Sequence, residues 1–123
     1  MSFKTLLAYQ KGFHLAMVIF ALTKVFPKSE MFGLTSQIVR SSRAVVSAIA
    51  ESYRKRQYEK HFKSKLSDAD SENSETQLWL DFALACNYIS EEQQKALLIK
   101  SEEVGRLIHY MINNPDKFRP NNN

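Results

Sequence analysis

From Gly33 to Arg56 the chain reads GLTSQIVRSSRAVVSAIAESYRKR, with no proline and no second glycine. That is enough uninterrupted length for a helix to cross a small domain. Ile38, Val45, Ile49 and Tyr53 recur at helical spacing and form one apolar stripe, while Arg40, Arg43, Ser47 and Arg54 fall on another. Ser41, Ser42, Ala44, Ser47, Ala48 and Ala50 keep the middle small, so a neighbouring backbone can come close. The stretch predicts a central helix with an apolar seam and a charged side, around which the rest must pack. Glycine and proline number three each in 123 residues, too few for the turns of an all-β chain.

Before this stretch, a first helix is expected from Phe3 or Lys4 to about Val25, ended by Pro27. It carries two apolar stripes: Leu6, Tyr9, Phe13, Ala16/Met17, Phe20, and Leu15, Val18/Ile19, Leu22, Val25/Phe26. Two stripes exceed what a surface helix buries. Either the helix is central to the bundle, or the second stripe faces another subunit. A third helix is expected from about Tyr58 to Cys86, with a seam of Phe62, Leu66, Ala69, Asn73, Thr76, Leu80 and Ala83. Whether the chain breaks or bends at Arg56-Gln57 is open, since neither glycine nor proline marks the place. Ser90-Glu-Glu-Gln93 is a capping box for a fourth helix, whose seam is Leu97, Val104, Leu107/Ile108 and Met111 and whose end is Asn113-Asn114-Pro115. Short connections make neighbours antiparallel. The expected fold is all-α, an antiparallel up-down four-helix bundle over residues 1–115, with a frayed polar tail over 116–123.

One cysteine, Cys86, excludes an internal disulfide framework and suits a reducing cytoplasm. The apolar run Leu15–Leu22 is far short of the roughly twenty residues a membrane span needs, and no cleavage site follows it. A cytoplasmic protein without a membrane partner is expected. His14, His61 and His109 are isolated, and Asp68-x-Asp70-x-Glu72 lacks the glycine of a calcium loop, so neither metal nor cofactor is expected. No nucleophile has a base beside it and no glycine loop cradles phosphate, so the chain reads as non-enzymatic, with an enzyme or metal site around Glu72, Glu75 and Cys86 a distant alternative.

Charge is the live signal. The chain carries 17 Lys+Arg against 13 Asp+Glu, and the excess is not spread evenly. Arg54, Lys55, Arg56, Lys60, Lys63 and Lys65 crowd one segment, interleaved with Tyr53, Tyr58 and His61; Asp68, Asp70, Glu72, Glu75 and Asp81 follow without a single cation among them. Cations can contact phosphates while aromatics stack on unpaired bases. The plain reading is a solvated helix end. Arg40 and Arg43 are candidates too, unless antiparallel packing sets them against Glu72 or Glu75 as structural ion pairs.

Tyr9-Gln10, Thr23, Phe26-Pro27, Glu30, Phe32-Gly33-Leu34, Gln37, Arg40 and Ile49-Ala50-Glu51, then Phe62, Leu66, Glu75-Thr76-Gln77-Leu78 and Asn87-Tyr88, stand in an order that resembles a bacterial family. These four-helix-bundle proteins are labelled as encoded in intervening sequences of 23S ribosomal RNA genes. The resemblance covers about Leu6 to Ile112. It implies a left-handed up-down bundle, a ring-like homopentamer, and a relation to accessory proteins of diversity-generating retroelements, which bind reverse transcriptase and nucleic acid through a basic surface. It brings no enzymatic activity. The chain departs from the family pattern at Ala48, where asparagine is usual, at Ser52, where glycine is usual, and at Val46, a small or proline position. On this reading the expected partners are other copies of the chain, RNA or DNA, and a reverse transcriptase. The binding residues would be Arg40, Arg43, Arg54, Lys55, Arg56, Lys60 and Lys63. A scaffold that recruits a protein without nucleic acid is the alternative.

Overall fold

The structure is a computed structural model that describes residues 2–120. Its main elements are α1 (Leu7–Thr23), α2 (Leu34–Arg54), α3 (Glu59–Ala85) and α4 (Glu91–Asn113), an all-α bundle with up-down connections. α2 packs chiefly on α1 and α3, and α4 on α3 and α1. Three-residue 3-10 turns stand at Phe3–Thr5, Lys28–Glu30 and Pro115–Lys117.

The helix ends follow from local chemistry. Ser2 caps the first 3-10 turn through its hydroxyl, but Leu6 is extended, so α1 begins at Leu7 rather than at Phe3 or Lys4. Glu30 caps α2: its Oε1 accepts from the Leu34 N–H at 3.1 Å. A side chain on Gly33 would put its Cβ 2.6 Å from that oxygen, so glycine is what lets the cap sit there. α3 closes in a Schellman motif. Asn87 adopts φ 60, its N–H donates to the Leu84 carbonyl, and Tyr88 N–H donates to Ala83. At Ser90 both halves of the capping box form, at 3.1 and 2.8 Å. Between α2 and α3 the chain breaks: Lys55–Gln57 form a turn and Tyr58 is extended. The break lets the Ile49/Tyr53 seam of one helix face the Phe62/Leu66 seam of the next. A continuous helix would carry the two apart.

The α3 seam is buried along its whole length: Phe62, Leu66, Ala69, Asn73, Thr76, Leu80 and Ala83. In α1 the buried residues are Ala8, Gly12, Leu15, Ala16, Ile19 and Thr23. The second stripe of α1, with Leu15, Ile19 and Phe26, is therefore core and not a subunit-facing surface. The first stripe is divided: Ala16 is buried and Leu6 and Tyr9 pack against the core, while Phe13 and Met17 are each 50% exposed and Phe20 37%. The small residues of α2 do as expected: Ser41, Ser42 and Ser52 are buried and fold their hydroxyls back to Ile38, Val39 and Ile49 carbonyls. The departures from the family pattern, Val46, Ala48 and Ser52, are all buried in this packed face.

Polar groups cross the middle of the core. Asn73 donates to the Ser101 carbonyl at 2.9 Å and accepts from the Ser101 hydroxyl at 2.8 Å, and Gln77 donates to the same hydroxyl at 2.9 Å. Ser41 and Thr76 hydroxyls meet at 2.8 Å between α2 and α3.

After α4 the chain does not fray at once. Phe118 packs its ring on Phe62 and Tyr110, with centroids 5.9 and 6.3 Å away, and Arg119 pairs with Glu59 at 2.9 Å. The frayed tail expected over 116–123 is thus not seen at Asp116–Arg119, and residues 121–123 lie outside the described residues. An apolar ring inside a polar tail is what docks it.

At the opposite end Tyr88 donates its hydroxyl to Glu30 Oε2 at 2.8 Å, tying the α1–α2 connection to the α3–α4 one. Bonds from Leu34 and then from Tyr88 hold the Glu30 carboxyl below its ordinary 4.5, and the carboxylate in turn pushes Tyr88 from 10.0 up to about 12. A lowered acid contributes stability above its unfolded value and loses it as pH falls. A raised phenol contributes below its unfolded value and loses it as pH rises. The clasp is thus intact between the two and weakens below about 4.5 and above about 10. Urea titrations over a pH series check this: Tyr88→Phe should flatten the alkaline limb and Glu30→Gln the acid one. At neutral pH, Asn73→Ala should lower the urea-derived stability by about 1–3 kcal/mol, because it strands the buried Ser101 hydroxyl donor and removes a donor from the Ser101 carbonyl.

Candidate nucleic-acid interface

The up-down topology puts the α2–α3 turn and both described chain ends at one end of the bundle. The predicted cations divide there. Arg54 and Lys55 close α2, where cations suit the negative end of the helix dipole. Lys60 lies in the first turn of α3. All three are exposed, and Arg54 and Lys60 have no ion-pair partner among the described residues. Lys63 lies 3.6 Å from Glu59, one turn back. Lys65 is engaged with Glu51 at 3.0 Å and Asp68 at 3.9 Å; its bond to Glu51 raises the ammonium and lowers the carboxyl.

Arg56 differs from these. Its guanidinium lies over the Tyr53 ring, 4.0 Å from the centroid, and donates to the Tyr53 carbonyl at 2.9 Å. It forms one wall of a cleft of about 610 Å³ whose other walls are Thr5, Leu6, Tyr53 and the docked segment from Lys117 to Pro120. Lys117 and Arg119 were not among the predicted residues, because the tail looked frayed. The signal was Phe118 itself, an aromatic stranded among polar residues just past Pro115. Lys117 is held by the Tyr110 hydroxyl at 2.8 Å, and Arg119 by Glu59 and by Asp116 at 3.1 Å.

Arg40 and Arg43 do not join this end. By helical rise, Arg43 lies about 16 Å back along α2 from Arg54. Arg40 is spent on the acidic half of α3. It bridges Glu72 through both carboxylate oxygens, at 3.0 and 3.3 Å, and reaches Glu75 at 2.7 Å. Arg43 has no carboxylate partner among the described residues and lies over the Phe20 ring at 5.2 Å. It borders a second, apolar groove of about 460 Å³ between α1 and α2, lined by Phe13, Met17, Val46 and Ala50.

The acids of α3 are spread over separate partners, with Asp70 on His109 at 3.1 Å and Asp81 on Gln94 at 2.6 Å. Among the described residues no three His, Cys, Asp or Glu side chains converge as a metal site. Cys86 is exposed at the end of α3. No described helix is long and apolar enough to cross a membrane.

Fold and charge together define an antiparallel four-helix-bundle protein with a basic end that its acids neutralise only in part. The chain belongs to the family described as 23S rRNA-intervening sequence protein, whose profile matches residues 4–110. Among solved structures it is similar to a protein of unknown function from the S23 ribosomal protein family of Bacteroides thetaiotaomicron VPI-5482. The two are 28% identical with a TM-score of 0.79, over 86% of this chain and 95% of that one. Comparison with the curated proteins returns no match.

The paired and unpaired cations are separable by experiment. Arg40→Ala should reduce stability by up to about 1 kcal/mol in thermal or urea melts, the scale of a surface ion network. Lys60→Ala should stay within about 0.5 kcal/mol of the parent, since its side chain holds nothing in place.

Proposed function

We propose that this protein is a non-enzymatic, cytoplasmic accessory protein that binds nucleic acid, or a nucleoprotein such as a reverse transcriptase with its nucleic acid, through the basic end of the bundle. The observation that carries the reading is the exposure of Arg54, Lys55 and Lys60 on the end where Arg56, Lys117 and Arg119 converge. Helix ends that only need solubility pair cations with nearby acids, as Lys65 does with Glu51. Here Glu72, Glu75 and Asp70 of α3 are drawn away to Arg40 and His109, and Glu59 is shared between Lys63 and Arg119, which leaves Arg54 and Lys60 without an ion-pair partner among the described residues. Of the seven predicted contacts, Arg54, Lys55, Arg56, Lys60 and Lys63 belong to the proposed surface. Arg40 is assigned to structure and Arg43 to the α1–α2 groove.

The working unit in this proposal is a homo-oligomer, a pentamer by the family resemblance. The apolar stripe of Phe13, Met17 and Phe20 supports self-association. Exposed apolar side chains contiguous along one helix mark interaction surfaces more often than scattered ones do. The same groove supports the alternative, a scaffold that recruits a protein partner without nucleic acid.

Filter binding of RNA and single-stranded DNA across a salt series tests the main reading. Three neutralised phosphates on a single strand should give a slope of roughly −2 in log K against log salt. The double variant Arg54→Glu/Lys60→Glu should abolish retention at low salt. Binding that ignores salt, or no binding at low ionic strength, leaves the scaffold reading standing instead. Light scattering reads the assembly: a monomer at micromolar concentration refutes the oligomer, and Met17→Glu should shift an oligomer toward monomer.

A further inference from the structure

Arg56, Lys117 and Arg119 are held by their neighbours, unlike Arg54 and Lys60, and they are held around one cleft. A lysine on an open helix face presents a mobile point charge, whereas these three are braced before any ligand arrives. Tyr53 supports Arg56 by ring and carbonyl, the Tyr110 hydroxyl supports Lys117, and Glu59 and Asp116 support Arg119. All three line one cleft of about 610 Å³, within the roughly 300–1,000 Å³ typical of small-ligand sites. Leu6, Leu7, Tyr53 and Phe118 give it apolar and aromatic walls, and Thr5 and Pro120 complete the lining. A cleft needed only for duplex phosphates has no use for depth or for an aromatic lining, because paired bases stay inside the helix.

We infer that this cleft takes one unpaired nucleotide, its base stacked against the Arg56 guanidinium plane and Phe118 and its phosphate held by Lys117 and Arg119. Guanidinium planes and aromatic rings both serve as stacking platforms for splayed bases. Tyr53 fixes the guanidinium plane on one side, so only its other side is left for a base. The inference rests on the proposed nucleic-acid reading and sharpens it to single-stranded or locally unpaired substrate. The site exists only because Phe118 docks on Phe62 and brings Lys117 and Arg119 across to α2.

Fluorescence anisotropy on the full chain tests it, with an unstructured strand and a blunt duplex carrying the same number of phosphates, at one fixed salt. The parent should prefer the strand by about five-fold or more, the scale of one stacked base. Arg56→Lys keeps the charge but loses the plane, so it should erase the preference by weakening the strand more than the duplex. Arg119→Ala on the exposed tail should weaken the strand more than the duplex, and circular dichroism confirms that each variant is folded. Adenosine monophosphate should displace the strand and spare the duplex, which separates a nucleotide pocket from general charge. Equal affinity for strand and duplex overturns the inference while leaving the basic-end reading intact. A strand preference that survives Arg56→Lys overturns it too, by moving the stacking to another platform. Absence of salt-sensitive binding to either ligand overturns both readings together.

Discussion

The structure depends on polar groups that α3 carries into the core. Asn73 and Thr76 sit at 3% and 1% exposure, where an unsatisfied donor or acceptor costs more than a hydrogen bond returns. One register satisfies them. Asn73 must face Ser101 on α4, and Thr76 must face Ser41 on α2. Sliding any of the three helices by a turn would strand these groups, whereas a purely apolar seam of Leu and Ile would tolerate the slip. Gly105 opens the approach, since a Cβ there would lie 3.3 Å from Asn73 Nδ2. The polar layer thus sets the relative heights of α2, α3 and α4, and with them where each connection falls.

The two ends of the bundle are then closed differently. At one, Glu30 accepts from both Leu34 and Tyr88, so a single carboxylate caps α2 and joins two connections. At the other, Phe118 brings the chain after α4 down onto Phe62. The first closure uses its charge internally. The second leaves charge over, since its fastening is apolar and its neighbours are Arg56, Lys117 and Arg119.

Charge separation along α3 is what makes the basic end basic. Its acidic half lies beside the middle of α2 and α4, where Arg40 and His109 meet Glu72, Glu75 and Asp70. Its basic half lies beside the end of α2, which adds Arg54 and Lys55 rather than carboxylates. Glu51 and Glu59 offset part of this excess through Lys65, Lys63 and Arg119. Arg54, Lys55 and Lys60 remain exposed.

Much of this was legible in the chain. The seam of α3 from Phe62 to Ala83, the capping box at Ser90 and the pairing of Arg40 with α3 acids are consequences of period and sign, which residue order carries directly. What residue order could not carry was direction in space. The two stripes of α1 are equally apolar, and only the positions of α2 and α4 decided that Leu15 and Ile19 go inward while Phe13 and Met17 stay out. Arg40 and Arg43 are one turn apart on one helix, yet reach a carboxylate pair and an aromatic ring because their neighbours differ. Lys117 and Arg119 lie more than fifty residues from Arg56, and their meeting required the docking of Phe118. Local periodicity therefore determined the helices and, outside α1, their buried faces. Long-range packing alone decided which apolar face stays exposed and which cations share the cleft, because both depend on contacts between residues far apart in the chain.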